Sequence, residues 1–158
     1  MVATPLAVDA GELSLYLNSE DVAAEYRFRP EELVVPILEA SLDIDGDGEV
    51  KALTDGLLIV RQLFNFTGDL LVSGALKAGA PIRDPIEIFA RIQKARLVLD
   101  IDADDQLKAT TDGLLLVRRL FNFTGDLLTS GAVNPEGDRT DAIEIQQYID
   151  SITGIGVE

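Results

Sequence analysis

Residues 42–55 read LDIDGDGEVKALTD, and residues 99–112 read LDIDADDQLKATTD. The copies stand 57 residues apart and align without a gap from Leu42 to about Ile92. Asp43, Asp45 and Asp47 of the first recur as Asp100, Asp102 and Asp104 of the second. Three carboxylates at alternate positions of a tight loop repel one another unless a cation stands among them. A hard cation such as Ca²⁺ takes six to eight oxygens at about 2.3–2.6 Å, so this spacing predicts two calcium loops. Positions 1, 3 and 5 supply carboxylates. Position 7, Glu49 or Gln106, supplies a backbone carbonyl and leaves its side chain free to vary. Position 6 turns with positive φ, which suits Gly48 and is tolerated by Asp105. Position 8, Val50 or Leu107, is expected to point into the core.

The repeat sets the architecture. Some three-quarters of positions between Leu42 and Ala75 are identical in Leu99–Ala132. Each loop is expected to lead into a helix, about Thr54 to Phe64 and about Thr111 to Phe121. Leu57, Val60, Leu63 and Phe64 recur there at helical spacing and predict a buried apolar stripe. Asn65-Phe66-Thr67-Gly68 reads as the stop of the first helix, with Gly68 as its left-handed C-cap residue, and Asp69 as the N-cap of a short helix over 70–76. Asp84-Pro85 reads as an N-cap followed by proline at the first helical position, opening a helix to about Val98. A last helix is expected from Asp141 to about Ile152. Pro30 to Ala40 reads as the helix entering the first loop. Residues 5–28 carry alternating apolar positions (Leu13, Leu15, Leu17), which fit a strand or a short helix. Arg61 with Asp69, and Arg118 with Asp126, read as structural ion pairs. Phe64, Phe66, Phe121 and Phe123 read as core.

Composition narrows the function classes. Twenty-eight acidic against 13 basic residues give a net charge of −15, so nucleic acid and anionic membrane are not expected as partners. An apolar fraction of 47% allows a folded core. The chain has no Cys and no His, which removes thiol chemistry, imidazole bases and the usual zinc sites. With no phosphate loop and no G-x-S-x-G either, an enzyme is not expected. No stretch is long and apolar enough to span a bilayer. The opening MVATPLAVDAGEL lacks the regions of a signal peptide, although a mature piece of a secreted protein would look the same.

A duplicated acidic loop followed by a Leu-rich helix resembles the dockerin-type, EF-hand-like calcium modules of secreted bacterial proteins. The block KALTDGLLIVRQLFNFTGD at 51–69 is similar to DALTDGLLILRYLFGFTGD, found in C-terminal regions of bacterial surface proteins. The likeness covers about 42–76 and 99–133. It implies an all-α fold of two EF-hand-like loop–helix repeats packed with pseudo-twofold symmetry. It also implies two Ca²⁺ sites, an extracellular or cell-surface location, and another protein domain as partner; the alternative readings are a calcium-stabilised structural spacer without a specific partner and, ranked below it, a calcium sensor. An N-terminal segment or linker over 1–29 would precede one domain over 30–158, with repeats at about 30–84 and 85–153. Three departures stand out, the first being that dockerin repeats lie close together whereas these stand 57 residues apart with extra helices between. An EF-hand or dockerin loop ends on an acid at position 12, where this chain has Thr54 and Thr111; its acids, Asp55 and Asp112, come one residue later. One helical residue turns a side chain by about 100°. Either the loop bulges so that these acids reach the ion, or they serve the helix dipole from its first turn. The Ser-Thr pair that many dockerins present to cohesin is replaced by Ala52-Leu53 and Ala109-Thr110, which argues against a cohesin partner. The candidate metal ligands are thus Asp43, Asp45, Asp47, Glu49 and Asp55, then Asp100, Asp102, Asp104, Gln106 and Asp112.

Overall fold

The computed structural model describes residues 40–155 and two short strands at 8–9 and 12–13. The chain divides into two compact units, Met1–Glu39 and Ala40–Glu158. In the first, β1 (Val8–Asp9) pairs antiparallel with β2 (Glu12–Leu13), Val8 facing Leu13. The helix expected from Pro30, and the alternating positions Leu15 and Leu17, lie outside the described residues.

The described part of the second unit is helical throughout. A single π turn, Ala52–Gly56, runs into α1 (Leu57–Leu63). The short α2 (Asp69–Val72) follows, then α3 (Pro85–Ala95) with a 3₁₀ turn at Arg96–Val98. The series then repeats: a π turn at Ala109–Gly113, α4 (Leu114–Leu120), α5 (Asp126–Thr129) and α6 (Ala142–Thr153). Among the described residues no helix is long and apolar enough to cross a membrane.

Local chemistry explains most helix boundaries. Asp84 caps α3 by accepting from the Ile86 amide at 3.2 Å, with Pro85 at the first helical position. Asp141 caps α6 through the Ile143 and Glu144 amides at 2.8 and 3.1 Å. Each satisfies amides that the helix itself leaves open. α1 ends at the expected Asn65–Gly68 stop, but the left-handed residue that closes it is Asn65, at φ 64°; Gly68 has φ 58° with ψ −141° and stands directly ahead of α2. The Asn65 amide then reaches Gln62 O at 2.8 Å and the Phe66 amide reaches Arg61 O at 2.9 Å, the paired bonds of a Schellman stop. Asn122 does the same after α4, at φ 63°. Asp69 opens α2 from within its first turn and caps nothing with its side chain.

Two further expectations are corrected. Arg61 makes no ion pair with Asp69 among the described residues. Its guanidinium donates to Leu71 O at 3.0 Å and Ser73 O at 2.8 Å, closing the carbonyls at the end of α2. Arg118 serves Leu128 O and Ser130 O in the same way, both at 2.9 Å. The four phenylalanines are not core: Phe64, Phe66, Phe121 and Phe123 are 42–54% exposed. The fully buried face of α1 is Leu58 and Ile59, and that of α4 is Leu115 and Leu116. Leu57 and Leu63 only pack partly against this core.

Ile44 and Ile101, the residues between the first two aspartates of each loop, are fully buried. They join the loops to Ile88 and Ile92 of α3 and to Ile145 and Ile149 of α6 in one cluster. The two halves meet closely at glycines. A Cβ on Gly56 would stand 3.1 Å from Val117 Cγ2, and one on Gly113 would stand 3.0 Å from Val60 Cγ2. Each π turn thus packs against the exit helix of the other half, and the contact is reciprocal.

The halves differ at one buried polar position. Gln62 of α1 is replaced by Arg119 in α4, and both are buried. Arg119 meets Asp150 of α6 side-on, Nε to Oδ1 at 2.7 Å and Nη2 to Oδ2 at 3.1 Å. Asp150→Ala would leave a nearly buried guanidinium unpaired. We expect a loss of about 2–3 kcal/mol in urea unfolding, less than for a fully enclosed pair because Asp150 is partly exposed. Asp150→Asn, which keeps one acceptor, should lose less.

Candidate metal centre

The loops form because their own aspartates fold the backbone back. In the first, Asp43 accepts from the Asp47 amide at 3.0 Å and the Gly48 amide at 2.9 Å. In the second, Asp100 accepts from the Asp104 and Asp105 amides, both at 3.1 Å. Each loop turns through two residues of positive φ: Gly46 and Gly48 in the first, Ala103 and Asp105 in the second. The second loop therefore holds with side chains a conformation that glycine adopts freely.

Six of the ten sequence-derived candidates converge. Asp43, Asp45 and Asp47 each bring a carboxylate oxygen within 4.8 Å of the other two, and so do Asp100, Asp102 and Asp112. Each triad can hold a metal ion. The sets are not equivalent, since Asp112 joins the second group while Asp55 stands outside the first. Asp104 also lies apart, with Oδ2 taken by Asn134 Nδ2 at 2.7 Å and by Lys108 Nζ at 3.1 Å. These donors, Asn134 first, hold its carboxyl below the usual range. Glu49 and Gln106 are exposed. The Glu49 carboxylate turns to Lys51 Nζ at 2.5 Å and Lys77 Nζ at 2.8 Å, and its pKa is lowered by both.

The late acids have a defined place. Inside each π turn a bond spans five residues, Gly56 N to Lys51 O at 3.0 Å and Gly113 N to Lys108 O at 3.1 Å. A π turn holds one residue more than an α turn, which absorbs the extra residue ahead of Asp55 and Asp112. Both acids are fully buried and aim back at the loop. Asp55 Oδ1 accepts from Ile44 N at 2.7 Å and Asp45 N at 3.3 Å, and Oδ2 from Lys51 N at 2.9 Å and Thr54 Oγ1 at 2.8 Å. Asp112 does likewise with Ile101 N, Lys108 N and Thr111 Oγ1. Burial pushes the Asp55 carboxyl up, against these four donors.

The central acid of each triad is also enclosed. Asp45 and Asp102 are fully buried. Each accepts through Oδ2 from a backbone amide across the fold, Lys77 N at 2.9 Å and Asn134 N at 2.8 Å. Asp102 Oδ1 is buried and has no donor among the described residues. Burial, then the charges of Asp112, Asp104 and Asp100, raise the Asp102 carboxyl above its ordinary range. An enclosed carboxylate oxygen with no donor, facing other carboxylates, is costly unless a cation completes it. In the first loop Asp47 Oδ2 accepts no well-directed hydrogen bond; its nearest positive charge is Lys77 Nζ at 2.7 Å.

Sequence reasoning missed the support behind the loops. Arg91 of α3 donates to Asp43 O at 3.2 Å. In the second half its counterpart is Tyr148, and the arginine comes instead from Arg139, which donates to Asp100 O at 3.3 Å and also to Ile101 O. Arg139 lies 3.7 Å over the Tyr148 ring. The two halves thus bring a guanidinium to the same loop carbonyl from different chain positions, so a comparison of the repeats residue by residue hides the equivalence.

A second surface lies between the exit helices. It is an apolar groove of about 560 Å³, lined among others by Leu57, Val60 and Phe64 and by their counterparts Leu114, Val117 and Phe121. Compared with protein-family models, with curated proteins and with solved structures, the chain matches none.

Proposed function

We propose that the chain is a non-catalytic calcium-binding module, dockerin-like in its EF-hand-like loop–helix repeats. It would serve for interaction or anchoring within a larger secreted or surface bacterial protein. The observation that carries the metal reading is the buried, donor-less Asp102 Oδ1 beside Asp100 and Asp112. The donor set is all oxygen, the chemistry of Ca²⁺, Mg²⁺ or Mn²⁺ and not of softer metals. Irregular loops rich in carboxylates favour calcium, because Mg²⁺ demands a near-ideal octahedron and keeps its waters. Extracellular modules bind calcium with Kd of about 10⁻⁴–10⁻³ M, which suits an acidic chain outside the cell.

Two observations bear on the rest. The reciprocal packing of each π turn on the other exit helix supports pseudo-twofold pairing of the repeats. The apolar groove, built from equivalent residues of both halves, favours an interaction module over a bare spacer. Leu53, at the position where many dockerins carry a cohesin-facing hydroxyl, is 67% exposed and lines it. The surface is therefore suited to an apolar partner face and not to a cohesin.

Calorimetric titration tests the metal reading directly. The native chain should take up two Ca²⁺, and Asp43→Ala and Asp100→Ala should each take up one. The absence of any binding heat from the native chain, with terbium luminescence also silent, would sink it.

A further inference from the structure

The two loops differ in one residue that reaches in from outside them. At the same point of each half a backbone amide donates to the central aspartate: Lys77 N to Asp45, and Asn134 N to Asp102. The side chains that follow are not alike. Asn134 is neutral; its Nδ2 donates to Asp104 and its Oδ1 accepts from the Glu136 amide at 3.1 Å. Lys77 instead places its ammonium 2.7 Å from Asp47 Oδ2 and 2.8 Å from Glu49 Oε2. The Asp47 side chain is only 5% exposed, so the ammonium reaches an enclosed carboxylate oxygen of a first-triad residue. The residue is also anchored, since Lys77 O accepts from Ala80 N and Arg83 Nη1, both at 3.1 Å. Each loop has a lysine of its own as well, Lys51 on Glu49 and Lys108 on Asp104. Among the described residues Lys77 is the extra positive charge, and it stands at the first loop and not at the second.

We propose that Lys77 is a tethered counter-cation of the first loop, which an arriving divalent ion must displace from Asp47. The inference rests on the calcium reading above. It has two consequences of opposite sign. Without metal, Lys77 relieves carboxylate repulsion and keeps the first loop formed. With metal, it competes, and the first site binds more weakly than its carboxylates alone would allow. The lysine stem is long and its side chain 42% exposed, so the ammonium can swing out to water. The effect is therefore a weakened site and not a blocked one.

The experiment swaps the residue between the halves. In an Asp100→Ala background, where only the first site remains, Lys77→Met and Lys77→Asn should each tighten the calcium Kd by about fivefold or more. In an Asp43→Ala background, Asn134→Lys should weaken the second site by a similar factor. Lys77→Met should also lower the melting temperature in excess EDTA, whereas a merely structural lysine would shift both readings in the same sense. High salt should narrow the gap in Kd. The Lys77 proposal is overturned if calcium binds but neither Lys77 variant moves the first-site Kd by as much as twofold. If no variant and no parent protein binds calcium, the calcium reading fails with it.

Discussion

The chain is expected to melt well above its EDTA-treated melting temperature once millimolar calcium is present. A ligand that binds only the folded state stabilises it by RT ln(1 + [L]/Kd), about 1.4 kcal/mol per site at ten times Kd and about 2.7 at a hundred times. Two sites together contribute about 3–5 kcal/mol. For a unit of this size each kcal/mol moves the midpoint by about 4 °C, so the shift should be about 10–20 °C. The structural ground is specific. Six carboxylates converge in two triads, the central acids are enclosed, and the Asp102 carboxyl is already pushed up by burial and its neighbours. Removing the ion restores that repulsion. Helical circular dichroism followed against temperature, with calcium and with excess EDTA, gives the answer. Superimposable melts would mean that the triads tolerate their own charge, and the metal-centred account would fail.

How far the sequence discloses this can be judged residue by residue. The paired aspartates, the Asp84-Pro85 and Asp141 helix starts and the all-helical character rest on local rules: spacing, capping and fixed φ. The face of α1 that meets the core does not. In LLIVRQLF nearly every position is apolar, so a helical period fits more than one stripe. The tertiary fold buries Leu58 and Ile59 and turns Val60 and Phe64 toward the groove. The phenylalanines fall outside the core for a related reason. The Schellman stop at Asn65 reverses the chain just past Phe64 and carries Phe66 away from the packed face. Asparagine accepts the left-handed position well enough to take it three residues ahead of Gly68.

The late acid was visible as an anomaly of spacing, since Asp55 and Asp112 stand one residue beyond the place of a loop-closing ligand. Two outcomes were compatible with it, a bulge toward the ion or a first-turn acid serving the helix dipole. The π turn aims both acids back at their loops, where they accept loop amides, and only Asp112 also joins a triad. Gly56 and Gly113 lie against the opposite exit helix closely enough that an added Cβ would crowd Val117 or Val60. The sequence carries the glycine but not the neighbour that requires it. The Arg91 and Arg139 supports were hidden in the same way, because they are equivalent in space and not in alignment.

The largest effect of any single substitution should come from Asp55→Ala or Asp112→Ala, and most of it should remain when calcium is removed. Each carboxylate is fully buried and joins the start of its loop, through the Ile44 or Ile101 amide, to its end, through the Lys51 or Lys108 amide. Alanine leaves those amides without acceptors, at about 1–3 kcal/mol for each one that stays enclosed. With the cavity left behind, the loss should reach about 3–5 kcal/mol in urea unfolding, in EDTA as well as in calcium. Asparagine should rescue only part of it, because its amide group would face a backbone N–H that needs an acceptor. Asp43→Ala is the control. Its carboxylate serves the Asp47 and Gly48 amides at a partly exposed edge of the loop, so its cost should fall mainly on the calcium-dependent part of the stability. Asp112→Ala should in addition abolish the second site, since Asp112 belongs to that triad, while Asp55→Ala should weaken the first only through the loop it deforms. A loss seen with calcium and absent in EDTA would instead make both acids ordinary ligands, and the clamping role would be wrong.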